Sequence, residues 1–271
     1  MSEVFGFDAY APKEIAERVE SIGVTKARLP LFSQATLGVL AGGFIGLGAL
    51  YFTSVTADPS LGFAISRMLG GVAFSLGLIL VVVAGAELFT GNNFMVMAWA
   101  SRRISSWELM RNWLIIYCAN FAGALGLAVL VFLSNHWEAG GGAVGTNAVT
   151  IAYAKATLPF AEAFFKGILC NVLVCLAVWL AVAGRSVVDK IFAIVFPISA
   201  FVAAGFEHSV ANMYFIPLGI LLRDRSHMAN AELLTWAGLV SNLVPVTLGN
   251  IFGGGVMVAL VYYLVYRHHA Q

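Results

Sequence analysis

Gly85-Ala86-Glu87-Leu88-Phe89-Thr90-Gly91-Asn92 returns 120 residues later as Gly205-Phe206-Glu207-His208-Ser209-Val210-Ala211-Asn212, and both read G-x-E-x-x-x-x-N. Each copy lies deep inside an apolar run. Glu207 is 17 residues from Lys190 and 16 from Arg223; Glu87 is 20 from Arg67 and 15 from Arg102. In a membrane-spanning segment that is the bilayer centre, where a carboxylate costs at least about 2.5–3.5 kcal/mol. It must be paired, hydrogen-bonded, protonated or wet. Gly85, Gly91 and Gly205 permit backbone breaks, and Thr90, Asn92 and Ser209 can cap a helix that starts again. The pattern predicts interrupted helices, with loops near 85–93 and 204–209. Non-helical backbone at that depth must be buried in protein or line a cavity. Two half-helices restarting in opposite directions bring their partially positive ends to the centre, which favours an anion.

The composition agrees that lipid is the solvent. The 271 residues carry 15 Lys+Arg and 14 Asp+Glu, 11% charged, with 60% hydrophobic residues and a mean hydropathy of +0.88. A soluble domain runs about 25% charged. The net charge of +1 offers no clustered basic patch for nucleic acid. Six stretches reach the roughly 20 apolar residues that a span needs: 33–56, 64–100, 107–134, 159–183, 190–222 and 233–266. No cleavable leader is expected, because residues 1–31 hold nine charges and no apolar core. Residues 12–28 predict an amphipathic helix on the membrane face, with Pro12 at its start and Ile15, Val19 and Ile22 on one side. A cytoplasmic N-terminus puts ten Lys and Arg inside, against Arg67, Lys155, Arg223 and Arg225 outside. Both termini are then cytoplasmic, in the cell inner membrane.

The third and sixth spans repeat as well. Asn112, Asn120 and Gly123 match Asn242, Asn250 and Gly253 at an offset of 130. Two matches in the same order make 33–134 and 159–266 copies within one transport domain, 1–271. Three spans per copy is odd, so the copies are inverted in the membrane, a transporter signature with its site at the midplane. The expected fold is all-α, with six transmembrane helices in two inverted three-helix repeats and the second and fifth broken.

His208 is the sharpest candidate. It alone among the histidines falls inside a span, while His136, His227, His268 and His269 lie in loops or the tail. Its intrinsic pKa of about 6.5 allows either charge state near neutrality. Glu207 and Asn212 are expected to orient it. Glu87 and Glu207 read as scaffold carboxylates that accept the freed N–H groups of the breaks. Lys166 stands two turns into the fourth span, to snorkel outward or charge a vestibule. Asn171 is interhelical glue or cavity lining. Phe74, Leu78 and Phe201 are what any span contains. Gly249, Gly253, Gly254 and Gly255, with Pro245, predict a bent last helix. Cys118, Cys170 and Cys175 are packing residues with no metal spacing. The loop at 135–158 reads as irregular; its Gly140, Gly142 and Gly145 spell G-x-G-x-x-G, but no strand precedes it, so no nucleotide site is expected.

The strings AGAELFTGNN, KGILCNVLVCLAVW, FVAAGFEHSVANMYFIP and NLVPVTLGNIFGGG closely resemble the formate/nitrite transporter family over essentially the whole chain. AGRSVVDK and IPLGILLRD bring it nearest the formate branch. The resemblance implies a homopentamer of aquaporin-like protomers, each with its own pore for a small anion and no cofactor. It implies a central histidine at His208 between apolar constrictions at Phe74, Leu78, Leu88 and Phe201. Thr90 and Asn171 would contact the pore, and Lys155 or Lys166 would draw the anion in. Glu87 and Lys166 look more like the nitrite branch, so nitrite and hydrosulfide stand beside formate. A water or glycerol channel would need Asn-Pro-Ala at the breaks, where Asn92-Asn93-Phe94 and Asn212-Met213-Tyr214 stand. An intramembrane enzyme would need a nucleophile–base set or a metal cluster, which Ser209 beside His208 does not make.

Overall fold

A computed structural model describes residues 9–225 and 231–268 and is all-helical there. His227 and His269 lie outside the described residues. Five helical stretches are long and apolar enough to cross a membrane: Leu31–Val55, Pro59–Gly85, Ser106–Leu133, Phe160–Ala183 and Trp236–Tyr266. The expected stretch 190–222 is divided into α8 (Val187–Ala203) and α9 (Ser209–Leu222), neither long enough alone. Large apolar side chains such as Phe32, Leu114, Phe165 and Phe196 are exposed around the outside, as lipid permits and water would not.

The chain opens with α1 (Pro12–Ala27), which starts at Pro12 as expected. Ile15 and Val19 bury against the bundle, while Ile22 is exposed. Then come α2 (Leu31–Val55) and α3 (Gly62–Ile79), the latter continued by wide turns to Gly85. A break at 86–90 follows. The helix restarts at Gly91 and becomes α4 (Met95–Ala100), then α5 (Ser106–Leu133). The second half has α6 (Ala143–Ala156), α7 (Phe160–Ala183), α8, α9 and α10 (Trp236–Ile251). Wide π-type turns over Phe252–Leu260 join α10 to α11 (Val261–Tyr266). They take in Gly253, Gly254 and Gly255, part of the stretch where the sequence predicts a bend.

One expectation is wrong. The region 135–158 is not irregular: Gly140, Gly141 and Gly142 take positive φ and make a turn, after which AVGTNAVTIAYAKA forms four turns of helix. The positive-φ glycines end where the helix begins, Gly145 lies inside it, and Val144, Ala148, Val149 and Ala152 bury one face. This helix packs on α9, as α1 packs on α4. The core pairings match in the same way. α2 packs on α3 and α5, α7 packs on α8 and α10, and α3 meets α8.

The spans approach closely at matched glycines. A Cβ on Gly123 would sit 1.9 Å from the Val39 carbonyl oxygen, and one on Gly253 2.2 Å from that of Ile168. No side chain fits there, so α5 touches α2, and the π-type turns touch α7, backbone to backbone.

Candidate functional site

The breaks begin where the sequence places them. Gly85 and Gly205 turn the chain at φ of 84° and 72°, a region open to glycine and strained for other residues. Each then runs extended through its glutamate, and the two are held by one set of bonds made twice. Glu87 N–H donates to the Leu37 carbonyl at 3.2 Å, and Glu207 N–H to that of Lys166 at 3.3 Å. The next free donors, Phe89 N–H and Ser209 N–H, go to Asn120 Oδ1 and Asn250 Oδ1 at 2.9 and 3.0 Å. The same amides donate back through Nδ2 to the carbonyls of Glu87 and Glu207. Buried backbone at each break is thus satisfied by one asparagine from the last span of its half.

The carboxylates do something else than expected. They accept no break N–H. Lys26 Nζ lies 2.9 Å from Glu87 Oε1, and Lys155 Nζ 2.8 Å from Glu207 Oε1. The other oxygens accept from Asn92 Nδ2 at 2.8 Å and Asn212 Nδ2 at 2.6 Å. Those amides also reach Asn112 and Asn242, which in turn hold the carbonyls of Lys26 and Lys155. Both lysines end the helices that lead into each half. Their repeat is legible as Lys26-Ala27-x-Leu29-Pro30 and Lys155-Ala156-x-Leu158-Pro159, offset by 129. Reading only the apolar spans misses it.

His208 departs from its expected partners. It ends the extended segment (φ −111°, ψ 115°) and is the N-cap of α9, with Nδ1 accepting Ala211 N–H at 3.1 Å. An accepting Nδ1 leaves the ring proton on Nε2, which donates to Thr90 Oγ1 at 3.0 Å. Glu207 and Asn212 therefore do not orient it. Successive side chains of extended backbone point apart, and Glu207 faces Lys155. The cap expected from Ser209 comes from His208 instead. Leu88 occupies the matching position in the first break, and both are buried, at 2% and 3% exposed.

Two cavities approach this centre. One, of ≈ 490 Å³, is lined by Arg67, Phe74, Phe201, Lys155, Glu207 and His208 among others. The second, of ≈ 380 Å³, is lined by Lys26, Leu78, Val81, Glu87 and Leu88 among others. Along α3 the first cavity ends at Phe74 and the second begins at Leu78, one turn or about 6 Å further on. Phe74 and Phe201 line the first cavity and Leu78 and Leu88 the second, with Phe74 and Phe201 edge to face at 5.6 Å and Phe201 stacked on His208 at 6.1 Å.

Thr90, Asn171 and Asn212 line neither cavity. Asn171 sits behind the first break, donating to the carbonyls of Thr90 and Asn250 and to Asn93 Oδ1. Lys166 lines the larger cavity and pairs with Glu162, one turn back, at 2.6 Å. It is half-buried, so it is not a bare charge in lipid. No cluster of His, Cys, Asp and Glu that could hold a metal occurs among the described residues.

The formate/nitrite transporter family model matches residues 13–264. The chain belongs to the formate/nitrite transporter family. Within that family it is 42% identical to the formate channel FocA of Escherichia coli K12, across 96% of this chain and 95% of that one. It is 40% identical to a probable formate transporter of Methanothermobacter thermautotrophicus, across 94% and 97%. A solved pentameric formate channel with formate bound superposes with a TM-score of 0.81 at 38% identity, covering 87% of this chain and 97% of that chain. The match of family, identity and fold makes this a multi-pass membrane protein.

Proposed function

We propose that this protein is a channel for small monovalent weak-acid anions, formate first, working as a homopentamer in the inner membrane with both termini cytoplasmic. FocA and the pentameric formate channel support the substrate and the assembly. Each protomer has six spans in two inverted, aquaporin-like repeats. The doubled lysine–glutamate–asparagine networks support that reading and widen the repeats to 12–134 and 143–266, each with its lead-in helix.

The observation that carries the proposal is one histidine, His208, the only buried one among the described residues, on the wall of the larger cavity beside apolar side chains. A bare anion meets a dehydration barrier at Phe74, Leu78, Leu88 and Phe201. His208 offers an Nε2–H there. Its bonds describe the neutral ring, since a buried cation with no carboxylate partner is costly. Proton transfer begins when Nδ1 takes a proton from water entering the larger cavity and releases the Ala211 N–H. The imidazolium then gives its Nε2 proton to an anion that replaces Thr90 Oγ1 on it, so near-neutral acid crosses the dry turn; a proton returned to Nε2 from water and one lost from Nδ1 restore the ring. Thr90 holds the ring, Asn171 and Asn212 brace the breaks, and Lys155 and Lys166, each paired with a glutamate, line the entrance.

Competitive uptake of formate, nitrite and hydrosulfide by reconstituted protein tests the substrate. Formate uptake that the other two inhibit only in excess is expected. Nitrite or hydrosulfide uptake with no formate uptake overturns the formate reading.

A further inference from the structure

The two cavities share a network but not a charge. In the smaller one Lys26 is neutralised by Glu87. In the larger one Lys155 is neutralised by Glu207 and Lys166 by Glu162, and Arg67 is left over. Arg67 lies on the first turns of α3 and lines that cavity with Ser66 and the backbone of the second break. Its Nη1 is 3.7 Å from where a Cβ of Gly205 would stand, two residues before Glu207. Among the described residues it makes no ion pair. Its guanidinium carbon lies over the Phe63 ring at 5.4 Å, a contact that takes up none of its N–H donors.

We infer that Arg67 is an anion-capture site at the mouth of the larger cavity, taking a small carboxylate, and that it makes this face the higher-affinity entrance. The inference rests on the anion-channel reading. A planar guanidinium with free edges holds a carboxylate by two parallel hydrogen bonds, which the compact ammonium of a lysine cannot offer. A low-dielectric cleft with one uncompensated positive charge raises the local concentration of anions. The smaller cavity has Lys26 in the corresponding network but no such surplus among its lining residues. Entry from the two faces is then unequal in affinity, although the pore between them is shared.

The test is influx of labelled formate into right-side-out and inside-out membrane vesicles carrying wild type, Arg67→Gln or Arg67→Lys. With both termini cytoplasmic, right-side-out vesicles present the larger cavity. Arg67→Gln is expected to raise the half-saturating formate concentration there about 3-fold or more and the saturating influx in proportion, leaving the low-concentration permeability and the opposite face unchanged. High salt is expected to shrink the difference, and Arg67→Lys to restore part of it. Equal half-saturation for wild type and Arg67→Gln on both faces overturns the capture site while wild type still conducts. Wild type that carries no formate from either face overturns the channel reading itself.

Discussion

The break at 86–90 and the break at 204–208 hold themselves in place with the same atoms and differ where chemistry can occur. Each has a glycine at positive φ, a lysine–glutamate pair under 3 Å, and asparagines that take up the freed backbone groups. After the glutamate, however, one has Leu88, Phe89 and Thr90 and the other His208, Ser209 and Val210. A contact across the pair joins the two, since Thr90 of the first break bonds the ring of His208 in the second. What the halves share is scaffold, and what they do not share is where the proposed function places the pore. A carboxylate at midplane first reads as a mark of function, yet both carboxylates belong to the shared set. The histidine, present once, does not.

Substitutions at matched positions should therefore act alike, and substitutions at unmatched ones should not. The largest effect is expected at the backbone contacts. Gly123→Ala and Gly253→Ala each drive a methyl into a carbonyl at 1.9 or 2.2 Å. Helices cannot part that far inside a packed bundle, so each should cost more than about 4 kcal/mol and abolish monodisperse protein in detergent. One variant behaving like wild type while the other fails would break the symmetry.

Next come the carboxylates. Glu87→Ala and Glu207→Ala each strand a lysine and an asparagine amide, and should lower stability by about 3 kcal/mol each. Thermal unfolding in detergent reads this. A silent Glu87→Ala beside a severe Glu207→Ala would mean that only the second network is structural.

The smallest effect separates the lead-in helices. Of the two lead-in helices, only α1 carries a buried carboxylate of its own: Glu20 accepts from Arg267, Arg103 and Ser101, all at 2.9 Å. Burial pulls the Glu20 carboxyl upward, but hydrogen bonds from Arg267, Arg103 and Ser101 outweigh it and hold it below its ordinary 4.5. A depressed carboxylate contributes in full above 4.5 and loses its contribution only as the pH falls below it. Amide exchange in α1, corrected for intrinsic rates, should be unchanged from about pH 8 to 5, while Glu20→Gln should speed it about 30-fold, some 2 kcal/mol. Release of α1 near neutral pH in wild type would contradict this.

Much of this was legible in the sequence because midplane glycines, carboxylates and asparagines stand out against an apolar ground. The breaks and the match of Asn120 to Asn250 follow from that contrast, whereas the residues of the dry turn, apolar in an apolar chain, come only from the family resemblance. Lys26 and Lys155 repeat in the sequence at an offset of 129, but their pairing with Glu87 and Glu207 was not legible, because each lysine lies before its span and reaches its partner only through the fold. α6 was hidden by the glycines that introduce it. The orientation of His208 was hidden because adjacency suggests contact with Glu207, and an extended backbone turns neighbours to opposite sides.

The central claim is that His208 carries the function. The most direct measurement is formate flux against pH in liposomes, for wild type beside His208→Phe. The account predicts that wild-type flux depends on pH and that His208→Phe loses both most of the rate and the dependence. An unchanged rate and pH profile in His208→Phe would contradict it.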